Sequence, residues 1–205
     1  MGRPRTNDET VKERLVACAT EMLATRPQES VTLRSLATAA GTSTTAVYSL
    51  FGGKDGLIQA VRDSAVTGLF QDLSAVPASE DPLADIYALA VAYRRWACGH
   101  SHLYTVLFGG VQSFEPTGAV GSHDPIGPLI AAIDRGMTGA VLAGEATSIA
   151  LSLWVTLHGL VTLELAGALD APAAEAAFRP TMHAALRGWT TPDVFRGLRH
   201  AEPAA

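Results

Sequence analysis

The sequence predicts an all-α protein, and three observations carry the prediction. Apolar residues form 48% of the chain but aromatic ones only 6%, and this alanine- and leucine-rich mix suits helices better than sheets. Long runs of alternating β-branched residues are missing from the sequence. Apolar residues instead recur at helical spacing, beginning with Val11, Leu15, Cys18 and Met22. With 205 residues the chain can bury a real core in one or two domains.

That first stripe predicts a helix over about residues 8–25, ended by Pro27. Thr32 is a natural N-cap for a short second helix whose Leu36, Ala37 and Ala40 face inward. Gly41 falls where the chain must stop and turn, and glycine reaches the left-handed region cheaply. Ser43 caps a third helix through about Phe51, with Val47, Leu50 and Phe51 on its inner side. Gly53 and Lys54 open a fourth, which runs through Leu57, Ile58 and Val61 towards Leu73.

The stretch VPASEDP (76–82) is the clearest break, and Asp81 with Pro82 then caps a fifth helix to about Cys98. A shorter helix follows near residues 103–108. GGVQSFEPTGAVGSHDP reads as a loop, after which Asp124 and Pro125 repeat the cap signal for a helix to about Thr138. A long apolar helix covers roughly 145–169 and a last one 172–188, the latter with Pro180 inside it. The tail GLRHAEPAA is expected to fray. The total is about nine helices, with no internal repeat.

Net charge is −5, yet it is unevenly spread. Residues 1–60 hold seven Lys/Arg against six Asp/Glu, and residues 61–205 hold eight against fourteen. An acidic body with a locally basic end suits a protein that offers one small surface to phosphate. Cys18 and Cys98 show no metal or redox spacing and sit in apolar helical flanks, so buried free thiols in a reducing cytoplasm are expected. Residues 146–163 reach the length of a membrane span, but Glu145 and Glu164 bound them without Lys or Arg anchors; a core helix and no membrane role are expected. No P-loop, Gly-x-Ser-x-Gly elbow or GxGxxG occurs, and His100 with His102 lacks further metal ligands. The expectation is therefore no catalytic site, no metal and no cofactor.

A helix-turn-helix needs two short helices crossing steeply, with small residues where they meet. Ala37, Gly41 and Val47 stand at the offsets this geometry requires. With Val47, Leu50 and Phe51 turned inward, Thr44, Thr45, Tyr48 and Ser49 are left outside, where hydroxyls at a helix N-terminus can reach base edges or phosphates.

VTLRSLATAAGTSTTAVYSLFGGKDGLIQAV resembles the N-terminal signature of the TetR (tetracycline-repressor) family of bacterial transcription regulators, over about residues 8–62. The resemblance implies phosphate contacts from Tyr48 and Lys54, and a groove-facing set of Thr44, Thr45 and Ser49 behind the Ser43 cap. It places Arg34 where family members often contact DNA, and puts Arg3 and Arg5 in a flexible N-terminal arm. The chain departs from the usual form at Thr42, Gly52, Gly53 and Gly56, the glycines implying a less stable start to the fourth helix.

Residues 1–62 are thus expected to form a helix-turn-helix domain, and residues 63–205 a helical effector-binding and dimerisation domain. Within the latter, Trp154, His158 and Gly159 resemble a TetR-type regulatory domain of the Trp-x-x-x-His-Gly kind. Tyr93, Trp96, Leu103, Tyr104 and Phe108 fit its earlier segment, with Ser101 in place of a common proline. A structural dimerisation body and one enclosing a pocket both fit this composition. His158 suits either a satisfied core histidine or a ligand contact. Candidate ligand residues are Tyr87, Trp96, Tyr104, Phe108, Phe114, Met137, Trp154 and His158.

The expected function is a dimeric repressor, joined through its last two helices and released from a palindromic double-stranded DNA operator by a small hydrophobic effector. The alternative is a DNA-binding activator or co-regulator with no small-molecule effector.

Overall fold

The computed structural model describes residues 5–26, 28–108 and 124–194. Among these the chain forms nine α-helices: α1 (Arg5–Thr25), α2 (Leu33–Ala39), α3 (Thr44–Phe51), α4 (Lys54–Ser74), α5 (Pro82–Gly99), α6 (Ser101–Phe108), α7 (Gly127–Thr138), α8 (Ala146–Leu165) and α9 (Ala171–Arg187). Arg3, Phe114, Pro27, most of the 109–125 loop and the C-terminal tail lie outside the described residues. The residues gather into two compact units, the first from 1–68 with 100–114, the second from 69–99 with 115–205.

In the first unit Leu15, Ala19 and Leu23 of α1 meet Leu36 and Ala37 of α2, Val47 of α3, and Leu57, Ile58 and Val61 of α4. Val11, Cys18 and Met22, which lead the sequence stripe, flank this core half-buried. Leu103 and Val106 of α6 close it, and Arg62 donates to the Val106 carbonyl across 3.3 Å.

The second unit packs α5 against α7, α8 and α9, with α8 also between α7 and α9. Two ion-pair networks lie within it. Arg94 of α5 binds Glu164 of α8 at 2.8 Å and Glu175 of α9 at 2.6 Å, and its guanidinium sits 4.9 Å over the Phe178 ring. Asp85, 5% exposed, accepts from the backbone N–H and hydroxyl of Ser79 and from Arg135 of α7.

Three expectations are corrected. α7 starts at Gly127, because Asp124 turns its Oδ1 to the Ile126 N–H at 3.0 Å and closes a tight turn instead of capping a helix. α8 ends at Leu165, where Gly167 adopts φ +70° and the Gly167 and Ala168 N–H groups bond to the Glu164 and Leu163 carbonyls, a Schellman stop. Cys98 is exposed rather than buried, since α5 turns its last residues outward.

α8 is long and apolar enough to cross a membrane by length and composition alone. Ile149, Leu153, Leu157 and Leu160 bury one face, while Leu151, Val155 and Leu163 remain 46%, 55% and 49% exposed on another.

Candidate nucleic-acid interface

The interface is built from caps outward. Thr32 and Ser35 form a reciprocal capping box at the start of α2, each side chain accepting the other's backbone N–H at 3.1 Å. The chain turns at Gly41 with φ +62°, and Ser43 caps α3 by accepting the Ala46 N–H at 3.1 Å. Val47 is fully buried and anchors α3, with Leu50 and Phe51 half-buried beside it. Its other face points to solvent: Thr44, Thr45 and Ser49 are exposed, and Tyr48 is 58% exposed although it is a large aromatic residue.

The glycines after α3 have a geometric reason. Gly52 ends the helix in the left-handed region at φ +74°, its N–H bonded to the Tyr48 carbonyl. Gly53 also takes a positive φ, +140°, and the Tyr48 ring lies over it within ordinary contact of where a Cβ would stand, 3.6 Å. Gly56, in the first turn of α4, leaves no room at all: a Cβ there would fall well inside 3.0 Å of the Phe51 carbonyl oxygen. The three glycines let α4 begin directly against the end of α3, and they hold Lys54, half-buried, two residues from that contact.

Arg34 is exposed on α2. A shallow groove beside it is shared by Thr32, Ser35 and Thr38 and also by Arg26, which sequence reading passed over. Arg26 follows directly on the end of α1, and no local spacing links it to Arg34. Arg5, expected in a flexible arm, is instead the first residue of α1, and Arg3 lies outside the described residues.

The ligand candidates do not form one set. Tyr104 and Phe108 belong to the first unit, where their rings meet at 4.8 Å. In the second unit Trp154 stacks on His158 at 5.0 Å, and His158 Nδ1 lies 3.1 Å from the Tyr93 hydroxyl. Burial pushes the His158 imidazole below its ordinary pKa, which favours the neutral ring. Trp96 is buried and Met137 half-buried. Tyr87 instead packs edge-on to His183 of α9 at 5.4 Å.

Comparison with known proteins agrees with this geometry. Residues 15–61 match the family described as bacterial regulatory proteins, tetR family, and residues 86–191 match the tetracyclin repressor-like C-terminal domain. An uncharacterised HTH-type transcriptional regulator of Mycobacterium tuberculosis is 28% identical over 164 residues, 78% of this chain and 72% of that protein. A structure of a Rhodococcus protein of unknown function superposes with a TM-score of 0.74 at 25% identity, covering 88% of this chain and 96% of the other.

SmeT, the repressor of a Stenotrophomonas maltophilia multidrug efflux pump, shares the fold at a TM-score of 0.66 and 18% identity, over 95% of this chain and 97% of its own. Regulators of this kind bind DNA operators, act as dimers and are not enzymes. With the two domain matches in chain order around a helix-turn-helix whose hydroxyl face is open, the chain belongs to the TetR family of bacterial transcription regulators.

Proposed function

We propose that this regulator is a ligand-responsive homodimeric repressor, released from a near-palindromic operator when a small apolar or amphipathic molecule binds its C-terminal body. Residues 1–62 read DNA in this scheme, and residues 63–205 hold the effector and the dimer contact. The observation that carries the reading is α3 itself, locked by buried Val47 and presenting Thr44, Thr45, Tyr48 and Ser49 outward. Tyr48 and Lys54 bind phosphate, and Thr44, Thr45 and Ser49 face the bases. Ser43 sets the helix N-terminus against the backbone, with Arg34, Arg5 at the start of α1 and Arg3 ahead of it adding flanking contacts.

Dimerisation through α8 and α9 is supported by two adjoining features. Leu151, Val155 and Leu163 form an open apolar stripe on α8, and Ala173, Ala176, Pro180 and Ala184 give α9 a small-residue outer face. Covering that stripe with a second copy removes apolar surface from water and sets two recognition helices about 34 Å apart, one per major groove. Trp96, Met137, Trp154 and His158 are the effector-wall residues of this body, the last two carrying its Trp-x-x-x-His-Gly pattern with Gly159. An effector acts by favouring one separation of the recognition helices over the other.

The test is operator affinity, on a site recovered by selection from random duplexes. Tyr48→Ala and Lys54→Ala should each weaken binding on all sites, and Lys54→Ala should also lower the salt slope by about 1. Binding that both variants leave unchanged in affinity and salt dependence would exclude this contact surface.

A further inference from the structure

Charge is divided between two grooves of the first unit. The groove between α1, α4 and α6 carries Glu9, Glu13, Glu21 and Asp63 against one lysine, Lys12. The groove between the end of α1 and α2 is the reverse: Arg26 and Arg34 line it, and among the described residues no carboxylate does. Glu29, which lies between the two arginines in sequence, is exposed and does not line it.

Arg26 and Arg34 are both exposed, and among the described residues neither makes an ion pair or a hydrogen bond. The wall beside them is fixed, because the Thr32 and Ser35 hydroxyls are engaged in the capping box of α2. Thr38, one turn beyond Arg34 on the same face, adds an exposed hydroxyl. The groove measures about 490 Å³ and is shallow, which suits a group on the surface of a duplex better than an enclosed small molecule.

We propose that Arg26 and Arg34 hold the sugar–phosphate backbone of the operator at the flank of the segment read by α3, which makes Arg26 a DNA contact in its own right. The inference rests on the DNA-reading role proposed for α3. In a helix-turn-helix the first helix crosses the backbone while the second enters the major groove, so the outward face of α2 meets phosphate. Guanidinium forks match phosphate oxygens in geometry as well as charge. Such a contact adds affinity and fixes register but carries no base preference. The acidic groove of the same unit disfavours that backbone.

Anisotropy titrations of the full-length protein on the operator selected from random duplexes test it. Arg26→Gln should weaken binding about tenfold at low salt and lower the salt slope by about 1, and Arg26→Gln/Arg34→Gln should lower it by about 2. A scrambled duplex should lose affinity by the same factor, leaving the ranking of sites unchanged. A scan of neutral methylphosphonate links should find a flanking position that weakens the parent and leaves Arg26→Gln unaffected. Arg26→Gln should melt like the parent, and Arg26→Lys, which keeps the charge, should retain the parental salt slope. Parental affinity and salt slope in Arg26→Gln, or no methylphosphonate position coupled to Arg26, would overturn the assignment. Tyr48→Ala and Lys54→Ala separate the two proposals. If they weaken binding and Arg26→Gln does not, this contact alone fails; if all three leave it unchanged, the reading of α3 fails with it.

Discussion

Gly56→Ala tests whether the contact between α3 and α4 sets the DNA-reading surface. A methyl group at this position meets the backbone carbonyl of Phe51, not a flexible side chain, and lies well inside the 3.0 Å limit that real Cβ atoms respect. Relief requires the end of α3 and the first turn of α4 to part by on the order of 1 Å, an overpacking that costs about 1–3 kcal/mol. Alanine's better helix propensity returns at most about 1 kcal/mol. The net expectation is a loss of about 1–2 kcal/mol, measured as a lower urea midpoint at unchanged slope.

Binding should suffer beyond this. Lys54 lies in the displaced turn, and the Tyr48 ring rests over Gly53 between the two helices, so both proposed phosphate contacts move together. Operator anisotropy, under conditions where both proteins are folded, should show weaker binding. Gly99→Ala is the control, because a Cβ there meets nothing within 4 Å. A Gly56→Ala protein with parental stability and parental operator affinity would refute the reasoning.

Asp85→Asn should cost about 2 kcal/mol near neutral pH, since Arg135 loses its carboxylate partner in a largely buried site. The Ser79 hydroxyl and N–H, with Arg135 beside them, hold this carboxyl below the usual range against the opposing effect of burial. Its contribution is therefore complete above the unfolded-chain value near 3.8 and is lost as pH falls through the lower native one, so the two proteins' stabilities should converge in acid. Arg94→Ala leaves Glu164, whose side chain is 13% exposed, without its cation, and calorimetry should show a loss of about 3 kcal/mol. Ser43→Ala removes the α3 cap and should cost about 1 kcal/mol, with weaker operator binding. Val155→Glu, at a position 55% exposed in the monomer, should leave the fold intact and convert dimer to monomer in sedimentation; an unchanged dimer would exclude the α8 contact.

Much of the proposed DNA-reading surface, and of the helix boundaries beyond it, was legible because the determinants are local. Thr32, Ser43 and Asp81 cap helices through bonds to residues two or three positions away, and Gly41 turns within one residue, so sequence spacing alone encodes them. The inward–outward division of α3 follows from one helical period around Val47. Where a competing local bond existed the expectation failed, as at Asp124, whose carboxylate binds the Ile126 N–H two residues on and closes a turn just before α7.

By itself, then, the sequence determined the helical class, the caps at Thr32, Ser43 and Asp81, the outward hydroxyl face and the family. Tertiary structure alone decided which charges meet: Asp85 reaches Arg135 across 50 residues and Arg94 reaches Glu164 across 70. It also decided which face of α8 stays open, and that Tyr87 turns to a groove with α9 rather than to Trp154 and His158. Periodicity says that a helix has an apolar side, but the choice of partner for each side depends on how whole helices cross. Those crossings arise from packing many side chains at once, and no spacing of a few residues records them.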